Sequence, residues 1–404
     1  MGSGDYVNFI DKNEKVIKLA HNSIDFTYEE IMKLNGIPLS ATILDDKVND
    51  DGTKNAYFLY NTIFDKAKNV KVKKVDFIKK KEAPLYYTKV FMGFEEDGTL
   101  TKFIINMDRE GFLEYVCDTF KNFVKNEKIV EKGDSLLVGY SGGMDSTVMI
   151  KMLTDPEMLE QNFSLSAATI SNIGGTQDRS SIKAFCRKSG IEHTFIEQDE
   201  IISTFKMRAD LNTIMKTMLR SKYNQYAINV FQRILTRMLQ KAAQDTNCNK
   251  VALGLERESM INTILTLMMT GDPVAGIYNK FDGKSTVVSP MMCLFRKEEV
   301  LYQYIKLPYW MEIPKDNSEN ASRYELYGSE WRGLLMLLSG HIIDEFPGID
   351  VYLEKSSKKL LDMIKSKVVF KYCDNCEGSY VDLDSSDENI CEVCIKLKEL
   401  GLLA

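Results

Sequence analysis

Hydrophobic and polar positions follow two successive patterns along the chain. Up to about residue 108, short runs of β-type composition, such as AYFLYNTIF, LYYTKVFMGF and LTKFIINM, are separated by NDDG and EEDG, which are typical hairpin turns. One helical stretch runs from the capping residue Thr27 to Gly36. This first pattern predicts a small α+β accessory domain over residues 1–108.

From about residue 109 the pattern changes to alternating strands and helices. Four buried strands are predicted in SLLVGY, SLSAATI, EHTFIEQ and KVALGL, and the longest of the helices between them covers about residues 228–245. This alternation predicts a parallel sheet with helices on both faces, and such sheets bind ligands at the carboxyl ends of their strands. We predict a doubly wound α/β domain over residues 109–366, followed by a short C-terminal domain over residues 367–404.

The composition favours a folded chain without a membrane segment. Of the 404 residues, 44% are hydrophobic and 27% are charged. The longest wholly apolar runs, such as Leu334–Leu338, are far shorter than the roughly 20 residues that a membrane span needs. The N-terminus shows no apolar core of a secretory signal. We therefore expect a soluble, cytoplasmic protein without a membrane partner.

The charge balance is acidic, with 52 lysines and arginines against 58 acidic residues and a net charge of −6. Nucleic-acid-binding proteins usually show a basic excess instead. One local exception lies between Lys66 and Lys81, where eight lysines accompany a single acidic residue. This lysine run is either a solvated hairpin face or an electrostatic contact for a polyanion such as tRNA.

Four of the eight cysteines form two close pairs near the C-terminus. The order is Cys373 and Cys376, then 14 residues, then Cys391 and Cys394. Two such pairs bring four thiolates into a tetrahedron, which suits a closed structural Zn²⁺ site, while an iron cluster or a redox dithiol is the alternative. We predict a structural zinc ribbon over residues 367–404, and we assign it no catalytic role.

A glycine-rich turn follows the first predicted strand of the α/β domain and opens a helix. Gly142 and Gly143 allow the backbone to approach a ligand, and Ser141 and Ser146 add hydroxyl groups. The helix start contributes amide donors and a positive dipole end, so the turn suits phosphate. Asp145 would repel phosphate directly, so it either faces a bound Mg²⁺ or caps the helix. Neither GxxxxGK[ST] nor GxGxxG occurs here.

This turn, SGGMDS, resembles the SGGxDS signature of the PP-loop ATP pyrophosphatases. The resemblance implies that ATP is cleaved between its α and β phosphates, that the AMP half activates a carbonyl oxygen and that pyrophosphate leaves. It implies ATP and Mg²⁺ as ligands and a catalytic role for Asp145 and Ser146. Around pyrophosphate it places Ser141, Gly142, Gly143, Asp145 and Ser146. Against the adenosine it places Ala168, Thr169 and Ile170.

Within that superfamily the chain is similar to the tRNA 2-thiolation branch over roughly residues 110–366. The segment NCNKVALGLERESMINTIL resembles the branch's A-x-GHNLDDxAxTxL block, and PMMCLFRKEEVLYQYIKLPY resembles a third block. Gly254 matches the glycine of the second block. The resemblance therefore implies that Gly254 also belongs to the nucleotide-binding residues. The terminal cysteine pairs resemble the branch's zinc ribbon. The residues that depart from the second block are Leu255, Glu256, Glu258 and Ser259.

The branch's catalytic cysteines are missing from the matching stretches. These read MLRSKYNQYAINVFQR, which contains Lys222 and Tyr223, and MEIPKDNSENASRYE. Because those thiolates hold an iron–sulfur cluster or carry the sulfur, we expect no catalytic cluster here. Cys293 is a candidate for a role near the site. We predict that the other three cysteines outside the tail, Cys117, Cys186 and Cys248, are core or helix-face residues.

Five arginines in helical segments either bind substrate phosphates or form surface salt bridges. They are Arg208, Arg220, Arg233, Arg237 and Arg257.

The sequence favours an ATP-dependent adenylating enzyme that forms AMP and pyrophosphate and activates a carbonyl or amide oxygen, as tRNA thiolases do. Its substrate is either tRNA or a small molecule. One alternative is a diverged enzyme that makes an amide or thioamide on a metabolite. The other is a non-catalytic nucleotide-binding or tRNA-binding module. A sulfur or amine donor protein and a second copy in a homodimer are candidate partners.

Overall fold

The structure is a computed structural model of the 404-residue chain. It describes residues 6–10, 16–20, 42–48, 54–58, 71–72, 87–94, 100–160, 162–171, 178–270, 285–307, 339, 342–343, 346, 348–365, 369–382 and 389–404. The predicted helix from Thr27 to Gly36 lies outside the described residues, as does the lysine run apart from Lys71–Val72.

Antiparallel strands come first along the chain, and alternating strands and helices follow. The strands are β1 (Tyr6–Ile10), β2 (Val16–Ala20), β3 (Thr42–Val48), β4 (Lys54–Phe58), β5 (Lys71–Val72), β6 (Tyr87–Phe94), β7 (Leu100–Met107), β8 (Ser135–Gly139), β9 (Ser164–Ile170), β10 (Glu192–Ile196), β11 (Lys250–Ala252), β12 (Thr286–Val288), β13 (Val369–Tyr372) and β14 (Ser379–Asp382). The helices are α1 (Arg109–Asn126), α2 (Met144–Thr154), α3 (Arg179–Lys188), α4 (Gln198–Phe205), α5 (Leu211–Leu219), α6 (Ala227–Asp245), α7 (Arg257–Thr270), α8 (Arg296–Lys306), α9 (Ile349–Lys365) and α10 (Glu392–Glu399). Among the described helices, none has the length and apolar character that a membrane crossing requires.

The chain divides into two compact units, each assembled from several segments. Unit one comprises Met1–Thr119, Leu294–Leu307 and Gly333–Leu353. Unit two comprises Phe120–Cys293, Pro308–Arg332 and Glu354–Ala404. The domain boundaries at residues 108 and 366 stay predictions.

Unit one contains the antiparallel strands β1 to β7. β1 pairs with β2 and β5, β3 pairs with β4, and β6 pairs with β7 along its whole length. The last two pairs confirm the hairpins that NDDG and EEDG predict. Asp108 follows the second hairpin directly, and its Oδ1 atom accepts a hydrogen bond from the backbone N–H of Gly111 at 2.8 Å. This contact satisfies one of the amides at the start of α1.

A fully buried carboxylate, that of Glu298 in the first turn of α8, connects three elements of unit one. Its Oε1 atom accepts hydrogen bonds from the hydroxyls of Tyr87 in β6 at 2.7 Å and Tyr115 in α1 at 2.8 Å. The Lys89 ammonium donates to the same atom at 3.1 Å, and the backbone N–H of Phe295 donates to Oε2 at 2.8 Å. Burial alone would raise the pKa of Glu298, but the charge of Lys89 and these hydrogen bonds lower it. The carboxylate is therefore charged and fully paired.

Unit two contains a five-stranded parallel sheet in the order β10–β9–β8–β11–β12. The predicted strands are β8 to β11, and the structure adds the three-residue β12 at one edge. From β8 the chain passes to β9 and β10 on one side, and later to β11 and β12 on the other. The parallel sheet and its helices confirm the predicted α/β fold. The reversal of strand order between β8 and β11 is the point at which such sheets bind ligands.

The C-terminal segment shares the hydrophobic core of the sheet. Leu137 of β8, Ala168 of β9 and Val251 of β11 belong to the same buried cluster as α4, α5 and α6. From the C-terminal segment the cluster includes Cys373, Cys376, Tyr380, Cys391, Val393, Cys394 and Leu397. The antiparallel hairpin of β13 and β14 and the helix α10 are therefore part of this core.

Candidate functional site

The predicted phosphate-binding turn lies between β8 and α2, at the point where the strand order reverses. Gly142 has φ +73°, a left-handed conformation that favours glycine. Gly143 is the N-cap of α2, and as a glycine it makes no side-chain capping hydrogen bond. At α3, by contrast, the Asp178 side chain accepts hydrogen bonds from the amides of Ser180 and Ser181. The start of α2 thus lacks the internal carboxylate cap that α3 has, and it can offer its amides to a phosphate.

Two serine hydroxyls converge inside this turn. The Oγ atoms of Ser141 and Ser146 lie 3.1 Å apart, and Ser146 also donates to the carbonyl of Gly143 at 3.2 Å. The backbone N–H of Gly143 donates to Ser141 Oγ at 3.1 Å. Ser141 is exposed and Ser146 is buried, so the pair reaches from the surface into the turn. Asp145 is the second residue of α2 rather than its cap, and it is half-buried beside them.

The carboxyl end of β9 lies directly against the turn. The backbone N–H of Tyr140 donates to the carbonyl of Ala168 at 2.9 Å, and Thr169 Oγ1 donates to the carbonyl of Tyr140 at 2.5 Å. Ala168, Thr169 and Ile170 are all buried. The structure therefore brings the predicted adenosine-side residues together with the predicted phosphate turn.

His193 of β10 lies at the same edge of the sheet, and its only signal in the sequence is one polar position in a short strand. Its Nε2 atom lies 2.7 Å from Thr169 Oγ1. Burial lowers the pKa of His193, and the nearby charges of Lys183 and Arg179 lower it further. A neutral imidazole therefore holds the Thr169 hydroxyl beside the turn.

Gly254, which follows β11, forms the other wall of the crevice. A Cβ atom at this position would lie 3.1 Å from the backbone N of Ser146 and 3.2 Å from the carbonyl carbon of Asp145. Those atoms belong to the first turn of α2, which cannot move aside easily. Only glycine therefore allows the loop after β11 to approach the phosphate turn this closely.

Three of the four departures from the second block are buried around the start of α7, and Leu255 is half-buried. Glu256, Glu258 and Ser259 are each less than a tenth exposed, and Ser259 Oγ donates to Glu256 Oε1 at 2.6 Å. Arg257 donates to the carbonyl of Met292 at 3.0 Å and lies 3.5 Å from the Glu354 carboxylate. These contacts of Arg257 are structural, because they join α7 to the loop at Met292 and to α9.

Arg208 and the stretch that contains Lys222 and Tyr223 contact the C-terminal segment. Arg208 Nη1 donates to the carbonyl of Gly401 at 3.4 Å. Lys222 Nζ lies 3.2 Å from the Glu399 carboxylate, and the Tyr223 hydroxyl donates to the same carboxylate. The stretch that contains Lys222 and Tyr223 is thus held against α10.

The cysteines outside the tail lie in separate places. Burial raises the pKa of the Cys186 thiol to about 12. The Cys248 thiol accepts a hydrogen bond from Ser135 Oγ at 3.4 Å, and the Cys293 thiol donates to the carbonyl of Pro290 at 3.5 Å. Cys186, Cys248 and Cys293 are buried. The expected lack of a catalytic cluster stays a prediction, and so does the candidate role of Cys293 near the site.

The four terminal cysteines form one compact thiol group. Their Sγ atoms all lie within 4.8 Å of one another, and all four residues are buried. Among the described residues this is the one group of three or more cysteine, histidine or acidic side chains close enough to hold a metal ion. The hydrogen bond with Cys376 contributes most to a lowered pKa of Cys373, while the hydrogen bond with Cys373 and burial raise the pKa of Cys394. Four thiolates this close need a cation, so the donor set fits a metal.

Comparisons with known proteins agree with this arrangement. No family model matches the chain. It is 24% identical to the tRNA-cytidine(32) 2-sulfurtransferase of Cytophaga hutchinsonii over 46% of this chain and 61% of that protein. It is 27% identical to the protein of the same name from Colwellia psychrerythraea, over 46% and 56%. The chain is related to the PP-loop tRNA sulfurtransferases. It spans about three fifths of the length of these relatives.

The fold of these PP-loop proteins is also seen in a solved structure. The U34-tRNA thiolase NcsA from Methanococcus maripaludis, determined with its [4Fe-4S] cluster, superimposes with a TM-score of 0.54 at 19% identity. The match covers 81% of this chain and 98% of the thiolase. The resemblance to the PP-loop tRNA thiolation branch and the predicted fold class are thereby confirmed.

Proposed function

We propose that this chain is an ATP-dependent tRNA-modifying enzyme that adenylates a carbonyl oxygen of a tRNA base and releases pyrophosphate. The observation that carries the proposal is the turn at the reversal of strand order. There the amides of α2, two serine hydroxyls and the close approach of Gly254 meet at the carboxyl ends of β8 and β11. The sulfurtransferase relatives favour tRNA over a small metabolite as the substrate.

In this proposal the turn binds the pyrophosphate half of ATP. The uncapped amides at the start of α2 and the hydroxyls of Ser141 and Ser146 stabilise the charge that develops as the bond between the α and β phosphates breaks. Asp145, half-buried in the first turn, would hold Mg²⁺, which neutralises phosphate charge when bound. The end of β9 at Ala168–Ile170 would bind the adenosine, with Thr169 oriented by His193.

The nucleophile, in this proposal, comes from outside the chain. The stretch that contains Lys222 and Tyr223 has no cysteine and is occupied by contacts to Glu399. Cys186 and Cys248 are buried in other elements. A sulfur donor protein, or an amine donor, would then attack the adenylated base and displace AMP. The four terminal cysteines would hold structural Zn²⁺.

Replacing Asp145 or Ser146 by alanine is expected to reduce AMP and pyrophosphate formation at least roughly 100-fold, because each change removes a group placed at the developing phosphate charge. The measurement is pyrophosphate release from ATP and Mg²⁺, with and without bulk tRNA, followed by mass spectrometry of the tRNA nucleosides.

Thr154→Ala is the matched control, since it removes a hydroxyl from the far end of the same helix, where Thr154 Oγ1 donates to the carbonyl of Ile150 at 2.8 Å. Full turnover in either Asp145→Ala or Ser146→Ala would refute the site. Turnover that depends on a metabolite and ignores tRNA would refute the substrate class.

A further inference from the structure

One face of α6 is turned towards the cysteine group. Arg237 donates through Nε to the carbonyl of Cys376 at 2.9 Å, a buried contact that joins α6 to the loop of the first cysteine pair. Gly378 makes room for it, because a Cβ atom there would lie 3.2 Å from Arg237 Cδ and 3.4 Å from Cys376 Sγ. The guanidinium therefore lies beside the thiols, in the same core.

Two buried donors on this face have no acceptor among the residues that the structure describes. These donors are Arg237 Nη1 and Gln240 Nε2, in side chains that are 8% and 5% exposed. The Glu377 carboxylate lies 3.7 Å from Arg237, but the Glu377 side chain is 87% exposed, so water screens the pair. A buried donor without an acceptor is destabilising, and more so when it is charged. An acceptor close to these two donors would therefore stabilise the protein.

Among the described residues, two of the four cysteine sulfurs accept a hydrogen bond from a nitrogen donor, and the other two do not. The sulfur of Cys373 accepts from the backbone N–H of Cys391, and that of Cys394 accepts from Asn375 Nδ2, each at 3.3 Å. For the sulfurs of Cys376 and Cys391, the described part of the chain gives a contact with each other at 3.8 Å and no nitrogen donor.

The two sulfurs that lack a nitrogen donor and the two side chains that lack an acceptor lie around one cavity. Arg237, Gln240, Cys376 and Cys391 all line one cavity of about 40 Å³. A cavity of this size has room for water, which needs roughly 10–15 Å³. Donor and acceptor can therefore meet directly or through a bridging water.

We propose that Arg237 and Gln240 are the hydrogen-bond donors to the Cys376 and Cys391 thiolates of the metal-loaded centre, with Arg237 as its compensating charge. This inference rests on the proposed metal site. Four thiolates and one divalent cation carry a net charge of −2, and a charge buried in a core needs a partner. The guanidinium offsets one of these two negative charges, and the N–H groups fix the sulfurs in the geometry that the metal requires. Both are positioning residues, and neither is a metal ligand.

The test compares the release of zinc from variants of the full chain, loaded with Zn²⁺. Zinc content is measured by elemental analysis, and release is followed as transfer to an excess of a chromogenic chelator. Arg237→Met keeps the length of the side chain and removes the charge and the donors, so we expect release to be about 10–100-fold faster. Gln240→Met is expected to act in the same direction with a smaller factor. Arg237→Lys keeps the charge but lacks the planar guanidinium, so its rate of zinc release should lie between those of the wild type and Arg237→Met.

The matched control is Lys241→Met, which removes one positive charge from the same helix. Lys241 contacts Thr204 Oγ1 at 3.1 Å and the Glu200 carboxylate at 3.9 Å, not the cysteines, so its variant should release zinc at the wild-type rate. Equal rates for Arg237→Met, Gln240→Met and Lys241→Met would overturn the inference. If Arg237→Met does not fold, Gln240→Met decides alone. A wild-type protein without zinc would overturn the metal centre itself, which is a distinguishable result.

Discussion

Replacing Cys373 and Cys391 together by serine is expected to unfold the parallel-sheet unit, not only the C-terminal segment. The four cysteines belong to the same buried cluster as strands β8, β9 and β11. A structural zinc centre contributes about 10–16 kcal/mol to folding, which matches or exceeds the whole stability of a typical domain at about 5–15 kcal/mol. Loss of the proposed Zn²⁺ is therefore expected to remove an amount of free energy comparable to the whole stability of this unit.

The measurement is thermal unfolding followed by far-ultraviolet circular dichroism, together with hydrogen exchange of the β8 and β9 amides. The double variant should lose protection in both strands, and a chelator should have the same effect on the wild type. Cys117→Ser is the control, because Cys117 is half-buried and lies in unit one. If the strand amides of the double variant stay protected, the C-terminal segment contributes little to the core and the prediction is wrong.

The second large effect is expected in unit one, where Glu298→Ala should lower the free energy of unfolding by about 3–5 kcal/mol. The change leaves the Lys89 ammonium and the hydroxyls of Tyr87 and Tyr115 without their acceptor in a buried site. Lys89 is held charged there, because the Glu298 charge raises its pKa against the effect of burial. The destabilisation comes from a half-buried Lys89 cation that has lost its counter-charge.

Denaturant unfolding of Glu298→Ala, Lys89→Met and the double variant measures this effect and the coupling between the two charges. Glu197→Ala is the control, since its pair with Arg179 lies at the surface with side chains 49% and 44% exposed and is worth less than about 1 kcal/mol. Because the pKa of Glu298 is lowered in the folded chain, its contribution is complete above its ordinary value of 4.5 and is lost as the pH falls through the lowered pKa. Equal stabilities of Glu298→Ala and Glu197→Ala would contradict the prediction.

The sequence was sufficient for features that depend on neighbouring residues. The turn from Ser141 to Ser146 and the strands β8 to β11 were predictable, because a glycine turn between an apolar run and a helix is a local signal. β12 was missed because three residues carry too little pattern to distinguish a strand. The paired terminal cysteines were recognisable from their spacing alone.

The sequence was insufficient for contacts between distant residues. Glu298 and its donor Tyr87 are 211 positions apart, and no periodicity connects them. Arg237 was a candidate for substrate phosphate, yet its buried contact with the Cys376 carbonyl links α6 to the cysteine group. His193 was not singled out, because its role at the site depends on the register that sets β10 beside β9.

The reversal of strand order has a consequence for any attempt to use the phosphate-binding turn in isolation. A fragment that runs from β8 through β10 would contain the complete SGGMDS segment and the end of β9, yet it would lack β11 and Gly254. Its proposed nucleotide crevice would have one wall, and the central strand of the native sheet would have an unpaired edge. The motif is contiguous in the gene, but the proposed binding site is assembled only when the later half of the chain has folded back beside it.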